Sequence, residues 1–130
     1  MQVHKSYRET RPSQLPLPVS IVIVKDSKGR YNPMSAEWVI PTSLDPTMLA
    51  VSIGFERYTY ELLKEQNELV ISMPSENMAE TVRFFGNNSG RDLDKLKELS
   101  TPTEPAKVID GRLLSDASVN YECRVKDTLR

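Results

Sequence analysis

The sequence has very little of the residue types on which several large classes of enzymes and metalloproteins depend. It contains one cysteine, Cys123, and one histidine, His4. A single cysteine excludes an intrachain disulfide, which favours a reduced, cytoplasmic setting. One histidine near the start of the chain leaves Ser-His-Asp and Cys-His mechanisms without a base, and the pair does not make a zinc site. We interpret Cys123, on the apolar face of a predicted strand, as a core residue rather than a nucleophile.

Long apolar runs and blocks of one charge are also missing. The longest apolar run, Ile21 to Val24, is too short to cross a bilayer, and Met1 to Pro18 lacks the apolar core of a secretory signal. Basic and acidic residues number 17 and 18 and are mixed along the chain, so nucleic acid is not an expected partner. Neither standard nucleotide-binding loop is present, since the chain has no Rossmann-type glycine fingerprint and no Walker motif.

What the chain does contain fits one domain with a core of its own. It has 130 residues, of which 38% are hydrophobic. Periodicity predicts strands at Val19–Val24, Met34–Ile40, Met48–Ile53, Glu68–Met73 and Val119–Val125, and short helices at Tyr58–Glu65, from Ser75 through Phe85, and at Arg91–Leu99. Because only brief helices separate the strands, we expect a mainly β, mostly antiparallel barrel with short helices and not a doubly wound parallel sheet.

Several segments are predicted to be irregular. Prolines make the stretch before Val19 an extended approach, Pro41 and Pro46 bracket a loop, and residues 101–117 show little periodicity. The chain stops directly after its last predicted strand, which would leave an unprotected sheet edge. We therefore expect the strands that close the barrel to be missing from this sequence.

Polar residues at the ends of elements are the candidate binding groups. Thr59 is placed at a helix start, where backbone N–H groups favour an anion such as phosphate, and Arg57 adds a positive charge two residues earlier. Residues 87–91 form a second loop before a helix, and Lys95 follows one turn later. From the residues alone, ordinary helix capping with solvated surface charge is the favoured explanation of the same pattern. Trp38, the sole tryptophan, is interpreted as a core residue or as a platform for a ring.

Four segments, in order, resemble the motifs of the flavin reductase-like, FMN-binding split-barrel family, and most closely its flavoredoxin-like branch. They lie between Val19 and Lys95, and together they are more specific than any one alone. The segments are Asn32–Trp38 with Pro41–Pro46, then Ser52–Thr59, Glu68–Ser75 and Ser89–Lys95.

The resemblance implies a Greek-key FMN-binding split β-barrel in which residues 1–130 form a single flavin reductase-like domain without its C-terminal strands. It also implies a homodimer with FMN near the subunit interface. The implied reaction is hydride transfer from NAD(P)H to the flavin, with electrons then passed on, for which the protein binds and orients the cofactor and needs no catalytic side chain. Two alternatives stay open: an FMN electron carrier served by a redox partner protein, and a non-redox split-barrel binding protein.

The resemblance also implies a set of cofactor-binding residues. Asn32 and Trp38 would contact the flavin ring region, whereas Thr59 and Lys95 would reach the ribityl phosphate. One departure from the family is Glu37, which stands where many relatives have serine; a carboxylate beside the ring would disfavour a reduced, anionic flavin. The complete predicted set is Asn32, Ser35, Ala36, Trp38, Ser52, Arg57, Thr59, Ser89, Arg91 and Lys95.

Overall fold

The computed structural model describes residues 3–130, which form eight strands and four short α-helices. The strands are β1 (Ser20–Lys25), β2 (Tyr31–Ala36), β3 (Val39–Leu44), β4 (Thr47–Val51), β5 (Glu68–Met73), β6 (Thr103–Pro105), β7 (Arg112–Leu114) and β8 (Val119–Arg124). The helices are α1 (Tyr7–Thr10), α2 (Tyr58–Leu62), α3 (Ala79–Asn87) and α4 (Lys95–Glu98), with 3₁₀ turns at Arg11–Gln14 and Glu76–Met78. No helix within this range is long and apolar enough to cross a membrane.

A four-stranded sheet in the order β2-β1-β5-β8 forms the centre of the molecule, and every pairing in it is antiparallel. Its central strand β1 is apolar on both faces because both faces are covered. Ile21 and Ile23 contribute to one hydrophobic cluster, and Val22 and Val24 contribute to the other. This division follows from the alternation of side chains along a strand.

The two clusters explain where the helices sit. The first contains Met78 and Phe85, with Val82 packed against it, which is the helix face that the spacing predicts. The second contains Leu62 of α2 and is covered by inward-facing residues of the β3–β4 hairpin. The predicted mainly β, antiparallel architecture with short helices is therefore confirmed, and α2 and α3 come to lie near β2 where the site is formed.

The strand predicted over Met34–Ile40 is wrong, because the chain changes sheets at its middle. β2 ends at Ala36, paired with the first residue of β1, and β3 begins at Val39 in a hairpin with β4. The backbone N–H of Ser52 donates to the carbonyl of Trp38 at the break. Trp38 is 47% exposed, so its interpretation as a core residue is also wrong.

Three segments predicted to be irregular contain regular structure. Ser6 and Glu9 form a reciprocal capping box that starts α1, so part of the supposedly extended approach is helical. Strand β3 continues through Pro41 with a bulge before Ser43, which a proline tolerates in an edge strand. Residues 101–117 hold the β6–β7 hairpin, whose three-residue strands are too short to show a period.

Candidate functional site

A pocket of about 170 Å³ lies between β2, the start of α2, the end of α3 and the loop that leads to α4. It brings together residues that are as many as 63 positions apart in the sequence. Six of the ten predicted site residues line it, namely Asn32, Arg57, Thr59, Ser89, Arg91 and Lys95. The loop-and-helix ends that the sequence marks as candidates therefore converge on one place.

Asn32 and Thr59 are joined by a buried hydrogen bond in this pocket. The Nδ2 of Asn32 donates to the Oγ1 of Thr59 over 3.0 Å, and the two residues are 5% and 1% exposed. Thr59 is the second residue of α2 and therefore not its cap. Arg57 occupies the N-cap position, and its side chain makes no capping hydrogen bond. The capping role considered for Thr59 is wrong, and its hydroxyl is instead part of the pocket.

Gly90 packs its backbone directly on Asn32 and on the Tyr58 ring. A Cβ atom at Gly90 would lie 2.1 Å from the Oδ1 of Asn32 and 2.9 Å from the Tyr58 ring, distances that no side chain accommodates without displacement. That Oδ1 has no hydrogen-bond partner within the described chain. Glycine is required here so that the loop over the pocket can approach β2 this closely.

Lys95 is a buried cation without a carboxylate partner among the residues that the structure describes. Its residue is 3% exposed, and its Nζ donates to the carbonyls of Phe85 at 3.0 Å and Asn88 at 3.1 Å. No ion pair of Lys95 occurs within residues 3–130. Burial lowers the pKa of Lys95 to about 8. A buried charge without a counter-charge is costly, so an anion in the pocket would be stabilised by this ammonium.

Two arginines at the mouth of the pocket are exposed and already engaged by acids. Arg91 pairs with Glu61, donates to the carbonyl of Glu56 and lies over the Tyr58 ring, with 5.4 Å from its Cζ to the ring centroid. Arg57 pairs with the carboxylate of Glu56 at 3.3 Å. Three cations and one carboxylate therefore line the pocket, which gives it a positive character.

The other four predicted residues do not line this pocket. Ser35 donates its hydroxyl to the carbonyl of Val82 at 2.6 Å, and Ala36 is buried in the second hydrophobic cluster. Trp38 and Ser52 are both exposed and are linked by the backbone hydrogen bond at the β2–β3 break. Their contacts with a flavin ring stay predictions.

Glu37 is paired with a residue that sequence reasoning did not connect to it. The Nη2 of Arg11 lies 2.6 Å from a carboxylate oxygen of Glu37, and both side chains are 43% exposed. The negative charge that departs from the family pattern is therefore balanced from the N-terminal segment. No sequence signal links these residues, because they lie 26 positions apart in different elements.

Residues 3–130 show neither a metal site nor a reactive cysteine. No group of three or more His, Cys, Asp or Glu side chains is arranged to hold a metal ion. Cys123 packs against the second hydrophobic cluster, and burial raises the pKa of its thiol. A raised pKa reduces the thiolate fraction, which agrees with the interpretation of Cys123 as a core residue.

The chain is thus a mainly β, antiparallel domain with a positively charged pocket. The chain belongs to the flavin reductase like domain family, whose family model matches residues 12–130. The resemblance carried by the four motifs is thereby confirmed.

Sequence and structure comparisons each find similar proteins. An uncharacterised protein of Pyrococcus abyssi is 36% identical over 107 residues, covering 82% of this chain and 61% of that protein. The flavoredoxin of Desulfovibrio vulgaris (Miyazaki F) superposes with a TM-score of 0.83 and 26% identity, covering 89% of this chain and 63% of that one. An FMN-binding protein of Thermus thermophilus gives a TM-score of 0.85 and 23% identity, covering 98% and 71% of the two chains. The predicted split-barrel fold class is therefore confirmed, and the chain spans about three fifths of the length of the curated relatives it matches.

Proposed function

We propose that this chain binds FMN and that the pocket above holds the phosphate of the cofactor. The observation that carries the proposal is the Lys95 ammonium, which is buried at the pocket without a carboxylate partner in the described chain. Two of its N–H groups donate to protein carbonyls, and the third is left for a ligand. A phosphate supplies both the missing counter-charge and an acceptor for that third N–H.

Six residues of the pocket have a distinct task in this proposal. Lys95 binds the phosphate at depth, and Arg57 and Arg91 attract the anion at the mouth. Thr59 presents a hydroxyl that Asn32 holds in place, and Gly90 allows the loop to pack closely on Asn32. When bound, the flavin supplies the redox chemistry, and the chain binds and orients it without an acid or base of its own.

The activity that we propose is an NAD(P)H:FMN oxidoreductase in the cytoplasm. Membership of the flavin reductase like domain family supports it. A flavoprotein electron carrier is the second candidate, which the similarity to a flavoredoxin favours. Anaerobic addition of NADH or NADPH to the FMN-loaded protein separates the two, because only the oxidoreductase loses its flavin absorption without a partner protein. A purified, full-length protein that neither carries flavin absorption nor acquires it with added FMN would favour the non-redox alternative.

We also propose that the protein is a homodimer. Exposed apolar side chains on β3, β4 and β8 support a further interface; among them are Ile40, Met48, Val119 and Tyr121, and Trp38 lies next to them, just before β3. Light scattering of the full-length protein tests this, and a mass equal to one chain would contradict it.

The phosphate assignment is tested by titrating FMN and riboflavin against the wild type and Lys95→Met by fluorescence quenching. Loss of a charge-assisted hydrogen bond of about 1.5–3 kcal/mol weakens FMN binding roughly ten- to a hundred-fold, and Thr59→Ala weakens it less. Riboflavin has no phosphate, so its affinity should stay the same. Lys97→Met is the matched control, because Lys97 is an exposed lysine of the same helix. Equal losses for both flavins, or no loss for FMN, would show that the assignment is wrong.

A further inference from the structure

The turn between β1 and β2 is organised around a buried carboxylate. The Oδ1 of Asp26 accepts the backbone N–H groups of Lys28 at 2.9 Å and Arg30 at 2.8 Å, and its Oδ2 accepts the Nε of Arg30 at 2.7 Å. The Asp26 side chain is 1% exposed. Gly29, with a φ of 78°, supplies the left-handed residue that closes the turn. Arg30 is therefore held at two points by one carboxylate.

The guanidinium of Arg30 also contacts the loop that contains Gly90, although Arg30 itself does not line the pocket. Its Nη2 donates to the carbonyl of Gly90 over 3.1 Å, a contact between residues 60 positions apart. Neither Arg30 nor Asp26 lines the pocket. Gly90 is the residue whose backbone packs on Asn32, so Arg30 acts on the part of the loop that approaches β2 most closely.

Three cations together fasten the segment from Phe85 to Arg91. Lys95 holds its first part through two carbonyls, and Arg91 joins its end to the carbonyl of Glu56. Arg30 is the cation among them that comes from the turn joining β1 and β2, the two strands of the central sheet that precede the pocket loop. A guanidinium suits this task because its rigid fork presents Nε to a carboxylate and Nη2 to a second acceptor at the same time.

We propose that Arg30, oriented by Asp26, is a positioning residue that fixes the loop at residues 88–91 for phosphate binding. The inference rests on the proposed function, because the phosphate is the group that this loop would enclose. Holding Gly90 on Asn32 in the free protein removes the cost of ordering the loop when the ligand arrives. Burial by itself raises the pKa of Asp26, but hydrogen bonds from Arg30 and Lys28 outweigh it and lower the pKa overall, so the carboxylate stays ionised at neutral pH.

The experiment compares Arg30→Met with Arg124→Met. Arg124 is a matched control because it has the same arrangement elsewhere: its Nε pairs with Glu68 at 3.0 Å, and its Nη2 donates to the carbonyl of Val108 at 3.1 Å. For Arg30→Met we expect FMN affinity to fall about tenfold and riboflavin affinity to change less than about twofold. Arg124→Met should leave the ratio of the two affinities unchanged. Equal losses for both flavins, or no loss for FMN, would overturn the inference.

Amide hydrogen exchange in the ligand-free protein gives a readout that does not depend on flavin binding. Exchange across residues 88–91 should accelerate in Arg30→Met and stay at the wild-type rate in Arg124→Met. Unchanged exchange there would overturn the positioning role. A wild type that binds no FMN would instead overturn the proposed function, and this is seen before any variant is compared.

The conservative variant Arg30→Lys separates positioning from charge and serves if Arg30→Met does not fold. Lysine keeps the positive charge but loses the rigid fork between Asp26 and Gly90. We expect FMN affinity and loop protection between those of Arg30→Met and the wild type. Full wild-type affinity in Arg30→Lys would mean that Arg30 contributes only its charge, and the inference would be wrong.

Discussion

Because of the buried ammonium of Lys95, both the stability of the fold and the affinity for the cofactor should change with pH in the alkaline range. Burial lowers its pKa from 10.5 to about 8. Between these values the unfolded chain binds the proton more tightly than the folded protein does, so the free energy of unfolding rises with pH through this window. Below pH 8 Lys95 is protonated in both the folded and the unfolded state, and burying its charge lowers the free energy of unfolding by the full amount. Above pH 10.5 Lys95 is neutral in both states, and this cost disappears. A shift of this size corresponds to about 3 kcal/mol.

Urea denaturation of the ligand-free wild type and Lys95→Met at several pH values between 7 and 10.5 measures this contribution. The difference between the two proteins is the quantity of interest, since Lys25 and Tyr31 have raised pKa values and also titrate at alkaline pH. We expect the stability of the wild type relative to Lys95→Met to rise by about 3 kcal/mol across the window. A flat difference would refute the reasoning, because it would mean that Lys95 does not bear an uncompensated charge.

The same titration predicts the behaviour of the proposed cofactor. A bound phosphate stabilises the protonated lysine, so FMN affinity should fall above about pH 8, at most about tenfold per pH unit for one proton. Riboflavin has the same ring without the phosphate, and its affinity should not follow this curve. Parallel curves for the two flavins, or an equal pH dependence in Lys95→Met, would contradict the role of Lys95.

Three further predictions follow from single contacts. Gly90→Ala should weaken FMN binding at least about tenfold, since the new Cβ would displace the loop from Asn32; wild-type affinity would contradict the packing. Arg11→Ala should change the free energy of unfolding in urea by less than about 1 kcal/mol, because its pair with Glu37 is half-exposed. Cys123 should react with a thiol reagent at neutral pH more slowly than a free thiol does, because burial raises its pKa; a faster reaction would contradict that.

Much of the fold was predictable because its elements are uniform along their length. β1 is apolar on both faces, and Met78, Val82 and Phe85 share one side of a helix, so period and burial agree. The β2–β3 break was not predictable, because apolar and polar residues alternate from Met34 through Trp38 and the apolar residues that follow, Val39 and Ile40, are also typical of a strand. An alternating pattern indicates on which face of a strand each side chain lies, but it does not indicate which sheet the strand joins.

The candidate site was predictable as a set of residues but not as a set of contacts. Loop-to-helix junctions identified Thr59 and Lys95, which do share a pocket. That Lys95 also holds the carbonyls at the end of α3, and that Arg30 reaches Gly90, depends on packing between distant segments. Such contacts produce no local pattern in the sequence, because each turn or helix forms without the distant contact.

The exposure of Trp38 gives the protein a built-in optical reporter. As the sole tryptophan, it accounts for all indole emission of the chain, and that emission depends on the polarity around a single ring. The ring stands 47% exposed where the chain crosses from the central sheet to the β3–β4 hairpin. Whatever covers this crossing, whether a flavin, a second subunit or a longer C-terminal segment, would move the ring from water into a less polar environment. Its emission would shift to the blue or be quenched, so occupancy of the crossing is readable without a label.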